Sequence, residues 1–144
     1  STQTITGMDG RKMSKSYDNT IPLWLPSKAL RKLVMKIVTN SQSVEEPKDP
    51  DNCNVFSIYK LFADQAEQEA LAARYRAGGM GWGHAKEELF LLLDKTLSPM
   101  REKYNALIED KSHIQQVLKE GAQKARIIAG NTIKRLREAV GLHL

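Results

Sequence analysis

The sequence has one cysteine, Cys53, in 144 residues. No internal disulfide is possible, which points to a reducing, cytoplasmic compartment. The longest apolar run is Leu89–Leu93, far short of the roughly 18–20 residues that span a bilayer. We therefore expect no membrane span, and no charged-then-apolar leader opens the chain. Cys53 has no second cysteine or neighbouring histidine, and Asp49 and Asp51 are too sparse for a calcium loop, so no metal site is expected. Strand-like alternation persists nowhere. The chain opens at Ser1 rather than Met, which reads as a processed product or a piece of something longer.

What is present is ordinary for a globular fold: 41% hydrophobic and 27% charged residues. This excludes a disordered tail, a collagen-like repeat and a disulfide scaffold, and the length suits one domain or one and a fraction. The net charge is +5, and it is unevenly placed. Residues 1–110 carry 15 basic and 15 acidic side chains; residues 111–144 carry seven basic against two acidic, Glu120 and Glu138. A basic end of this kind attracts a polyanion, nucleic acid above all. The same pattern also suits a plain solvated helix face.

Residues 1–26, with Gly7, Gly10 and Pro22 and the polar run Asp9–Thr20, read as a loop with a short hydrophobic exit, Ile21–Leu25. A helix is expected after Pro26, with Ser27 as its cap and Leu30, Leu33, Val34, Ile37 and Val38 on one face. Residues 39–53 read as a surface loop, and Asn54 is the expected cap of a short helix carrying Val55, Ile58, Tyr59, Leu61 and Phe62. Asp64–Arg76 is Ala- and Glu-rich, and Gly78–Gly83 reads as a flexible turn. From His84 a long helix is expected, with Leu89, Leu93, Leu97, Met100, Tyr104 and Leu107 recurring on one side and a kink or break near Thr96–Ser98 caused by Pro99. The last helix, capped by Asp110 or Ser112, carries Ile114, Val117, Leu118, Ala122, Ala125, Ile128, Ala129, Ile133, Leu136 and Val140 and ends at Gly141. The expected fold is all-α: a helical bundle preceded by a loop.

The segment that carries chemistry is Gly10–Asn19, GRKMSKSYDN. Lys12 and Lys15 stand three apart among Ser14, Ser16 and a glycine. Such a loop can bring two ammonium groups, hydroxyls and backbone N–H groups to one anion. That set suits a triphosphate whose charge moves onto departing pyrophosphate, and the compact, rotatable charge of lysine suits a moving group. A polar surface loop kept for solubility is the plain alternative.

Lys12-Met13-Ser14-Lys15-Ser16 resembles letter for letter the KMSKS signature of the class I aminoacyl-tRNA synthetases. Arg11 before it and Tyr17-Asp18-Asn19 after it resemble the tryptophanyl version of the signature rather than the tyrosyl one. The resemblance continues, with falling specificity, through Leu30–Thr39, through Gly81-Trp82-Gly83-His84-Ala85-Lys86 and through Gly121-Ala122-Gln123-Lys124-Ala125. It implies an enzyme that activates tryptophan with ATP and Mg²⁺ and transfers it to tRNA(Trp), with a homodimer expected for the full-length form. It implies that Lys12 and Lys15 hold the ATP phosphates, that Ser14, Ser16 and the loop backbone close over the nucleotide, and that Met13 anchors the loop against the helices. On this reading residues 1–26 end a Rossmann-type catalytic domain, and residues 27–144 form a helical anticodon-binding domain. The family's HIGH-type signature is missing, since none of His84, His113 and His143 sits in such a setting. The chain alone is therefore expected to be inactive. Two other readings stay open: a non-catalytic RNA-binding module of synthetase origin, and the corresponding piece of a tyrosyl enzyme.

The remaining polar residues have plainer expectations. Trp24 and Trp82 read as core side chains. His84 and Lys86 read as a solvated helix start, and the pairs Glu45-Glu46 and Glu87-Glu88 as surface charge. Lys124, Lys134 and Arg135 are expected to share a broad face of the last helix that meets tRNA.

Overall fold

The computed structural model describes residues 4–142; His143 lies outside them. It contains five α-helices, α1 (Ser27–Val34), α2 (Asn54–Tyr59), α3 (Gln65–Ala77), α4 (Trp82–Glu109) and α5 (Lys111–Ala139), preceded by a single 3₁₀ turn, Lys15–Tyr17. Among the described residues the β-type pairing consists of an isolated bridge between Thr6 and Lys12. The all-α expectation holds. The chain forms two compact units, Ser1–Glu102 and Lys103–Leu144.

The first unit is built around Tyr75 of α3, which is fully buried. Its ring meets Phe56 of α2 at 5.6 Å and stands edge-on to Trp82 of α4 at 5.9 Å. Around it close Leu30, Val34 and Ile37, then Val55 and Ile58, then Leu71, and then Ala85, Leu89, Leu93 and Leu97. The three- and four-residue spacing of these apolar positions gives each helix one face to bury. The loop between α1 and α2 is fastened from inside. Lys48, only 2% exposed, donates through Nζ to the carbonyls of Ser43 and Glu46, and its backbone N–H reaches the Tyr75 carbonyl at 2.7 Å. Gly78, at φ +75°, passes so close to the Glu45 carbonyl that a Cβ there would collide with it.

Helix ends depart from expectation in informative ways. Pro26, not Ser27, occupies the N-cap of α1, and the Ser27 hydroxyl donates instead to Asp94 of α4 at 2.8 Å. Asp94 also takes Arg101 at 2.9 Å. α1 stops at Val34, and the chain turns so that Ile37 stays buried while Val38 is 61% exposed. Cys53, not Asn54, caps α2, through its sulfur and the Phe56 N–H. α3 carries a full capping box between Asp64 and Glu67. α4 starts at Trp82, two residues before the expected His84, and Pro99 does not break it. Loss of one N–H is too little to stop a helix already anchored by buried Leu89, Leu93 and Leu97. Trp24 is 42% exposed rather than core, whereas Trp82 packs on the core as expected.

In the second unit α5 is a continuous helix. The Asp110 side chain caps it by accepting from the His113 N–H, and Gly141 at φ +77° lies just beyond its end. No residue of α5 is buried. Replacing Tyr75 by Ala removes the ring on which three helices converge. Urea unfolding is expected to show a loss of about 3–5 kcal/mol, the usual cost of truncating a buried aromatic.

Candidate functional site

The Gly10–Asn19 segment is a doubly closed loop. The Gly7 N–H donates to the Arg11 carbonyl at 2.7 Å, and the Met13 N–H to the Ile5 carbonyl at 2.9 Å. Gly10 takes φ +82° to close this first turn. The second turn is the 3₁₀ segment. Ser14 caps it, its Oγ accepting from the Ser16 N–H at 3.3 Å and lying 2.8 Å from the Ser16 Oγ. Asp18 leaves it in the left-handed region at φ 50°.

The side chains divide by role. Lys12 and Lys15 are exposed, and among the described residues neither is engaged in an ion pair. Arg11 is committed instead: its Nε donates to Asp9 at 2.7 Å and its guanidinium stacks over Tyr17 at 4.5 Å. Met13 turns inward and lines an apolar cavity of about 130 Å³ with Ile5, Ile21, Ile58, Phe62 and Leu93. Asn19 is 2% exposed. Its Oδ1 accepts from the Ser14 N–H at 2.8 Å, while its Nδ2 donates to Asp9 at 2.8 Å and to the Lys12 carbonyl at 3.1 Å. These bonds to Asp9, foremost that from Asn19 and then those from Arg11, hold its carboxyl down at about 2.

The stem of the loop is docked on the helices of the first unit. The Met8 carbonyl accepts from the Val38 N–H at 2.9 Å, and Asn54 Nδ2 bridges the Gly7 and Met8 carbonyls at 2.9 and 3.3 Å. Lys86 is not a merely solvated residue: its ammonium donates to the Met35 carbonyl at 3.2 Å, where α1 ends, and desolvation lowers its pKa. Glu87 and Glu88 form ion pairs with Arg31 and Arg74. Sequence reasoning brought together Lys12, Met13, Ser14, Lys15 and Ser16 but gave no role in the loop to Asp9, read Asn19 only as part of the signature string, and read Asn54 only as a helix cap. Asn19 stands in the quoted string, yet its burial depends on Gly7 and Asp9 folding back over it.

On α5 the basic residues fall in rows. At about 100° per residue, Lys119, Arg126 and Arg137 lie within about 20° of one another. Lys124 and Arg135 align in the same way, and Lys134 lies about 80° from Lys124, so the trio spans about 100° of the helix circumference.

The loop thus offers two unpaired ammonium groups from a buttressed backbone, and helices follow it. Residues 1–98 match the model of the class I tRNA synthetases for tryptophan and tyrosine (W and Y), and the chain belongs to this family. Relatives within the family include tryptophan–tRNA ligases. That of Pseudomonas aeruginosa is 52% identical over 139 residues, which are 96% of this chain and 31% of the relative. That of Campylobacter jejuni is 46% identical, over 96% of this chain and 43% of the relative. The crystal structure of the Campylobacter jejuni tryptophanyl-tRNA synthetase complexed with ADP and tryptophan superposes with a TM-score of 0.93 at 46% identity, over 97% of this chain and 44% of that one. The chain thus spans between 31% and 44% of the length of these relatives.

The Asp9 carboxyl should titrate near 2 when followed by NMR. Because its folded pKa is depressed, the loop ties it makes are complete above the ordinary carboxylate value of 3.8 and are lost as pH falls towards 2.

Proposed function

We propose that the chain is the C-terminal part of a tryptophan–tRNA ligase, in which it supplies the loop that holds the ATP phosphates and a helical surface for tRNA(Trp). The observation that carries this reading is the pairing of exposed, unpaired Lys12 and Lys15 with a loop backbone closed by short polar contacts. In the proposed reaction the tryptophan carboxylate attacks the α-phosphorus of ATP, the bond to the β-phosphate oxygen breaks, and pyrophosphate leaves. Lys12 and Lys15 meet the charge gathering on that leaving group, with Lys15 the closer transition-state contact. Ser14, Ser16 and the loop backbone close over the nucleotide, and Met13, seated against α2 and α4, anchors it. Mg²⁺ arrives with the triphosphate, and no residue of this chain is assigned to it.

Residues 1–26 are assigned to the end of the catalytic domain, and residues 27–144 to the anticodon-binding part. The full-length enzyme is read as a cytoplasmic homodimer. A tyrosine-specific reading is not favoured, since relatives at 52% and 46% identity are tryptophan–tRNA ligases.

In the full-length enzyme, Lys15→Ala should lower the rate of adenylate formation by about 10²–10³, the usual cost of losing one preorganised donor; an unchanged pre-steady-state rate would remove Lys15 from the mechanism. In a salt series, tRNA(Trp) should bind this chain more tightly than a non-cognate tRNA. Equal and steeply salt-dependent affinities would mean phosphate attraction alone.

A further inference from the structure

Of the residues from Asp9 to Thr20, Asn19 alone is buried, although it carries a polar amide. Burying an amide is costly unless its bonds are made, and here they are made to three separate points of the loop. Oδ1 holds the Ser14 N–H, and Nδ2 holds the Lys12 carbonyl. These two groups flank Met13, so the backbone from which Lys12 and Lys15 project is clamped on either side of the residue that dips into the cavity. The second Nδ2 bond goes to Asp9, which in turn takes both the backbone N–H and the Nε of Arg11, and Arg11 lies over Tyr17. The Asn19 carbonyl accepts from the Met8 N–H at 3.0 Å, tying the same residue to the docked stem. Gly7 completes the seat: any Cβ there would strike the Asn19 side chain and its carbonyl.

We propose that Asn19 is a positioning residue for the two lysines, acting on the leaving phosphates through the Lys12 and Ser14 backbone without touching the nucleotide. This rests on the function proposed above. An aspartate of the same shape would not serve, because it would set a second carboxylate against Asp9 and an acceptor against the Lys12 carbonyl. A general packing role would weaken every step alike. A positioning role lowers the chemical step while leaving amino-acid binding alone, because displacements of about 1 Å at a reacting group cost on the order of 10²-fold.

The test is tryptophan-dependent ATP–pyrophosphate exchange by the full-length enzyme. Asn19→Ala is expected to lower kcat by about 10–100-fold with the KM for tryptophan unchanged. In a Lys15→Ala background the same substitution should cost clearly less than in the unsubstituted enzyme, since one of the two groups it positions is already gone. Gly7→Ala, which displaces Asn19 without altering it, should reproduce the kcat loss, so the result does not depend on one variant folding well. Full kcat in Asn19→Ala, or an equal loss with and without Lys15, overturns this inference alone. Absence of exchange in the unsubstituted enzyme overturns the functional reading and the inference with it.

Discussion

The Met8 carbonyl is the joint on which the site depends. It accepts the Val38 N–H from the exit of α1 and shares the Asn54 amide with the Gly7 carbonyl. A polar loop of a dozen residues has no core of its own and would otherwise lose too much conformational entropy to hold one shape. Fixing its stem on helices that are themselves packed around Tyr75 transfers the rigidity of a hydrophobic core to a charged surface loop. Holding that stem shapes the end of α1 and the start of α2. Val38 gives up burial of its side chain and presents its N–H, and Asn54 is freed for the stem because Cys53 does the capping.

The same division of labour runs through the polar side chains. Arg11 is neutralised by Asp9, Arg31 by Glu87 and Arg74 by Glu88, whereas Lys12 and Lys15 are left to solvent. Charges at exposed pairs contribute little to stability, so their distribution says more about which cations are available than about what holds the fold. In the motif, the committed cation is the arginine and the available ones are the lysines.

Much of this was legible in the sequence. The apolar periodicity marked the helices and the core positions Leu30, Val34, Ile58, Leu89 and Leu93, and the KMSKS string marked the loop. What was not legible required tertiary partners. Ser27 looked like a cap, but Pro26 already fixes the backbone at the helix start and Asp94 claims the hydroxyl. Pro99 looked like a break, but burial of the preceding leucines carries the helix through it. Lys86 looked solvated because nothing local announces the Met35 carbonyl, 51 residues away in the chain. Asn19 looked like the tail of a motif, since its burial is created by Gly7 and Asp9. Rows of cations on α5 could be sorted only once the helix was known to run unbroken from Lys111 to Ala139.

Cys53 has a practical consequence. The residue is 5% exposed, and its sulfur sits 3.5 Å from the Phe56 N–H and 3.6 Å from the Tyr75 hydroxyl. A maleimide or iodoacetamide reagent added to the folded molecule therefore finds its native thiol shielded. A fluorophore attached to a cysteine engineered elsewhere on the surface reports from that place alone, with the wild-type background left intact.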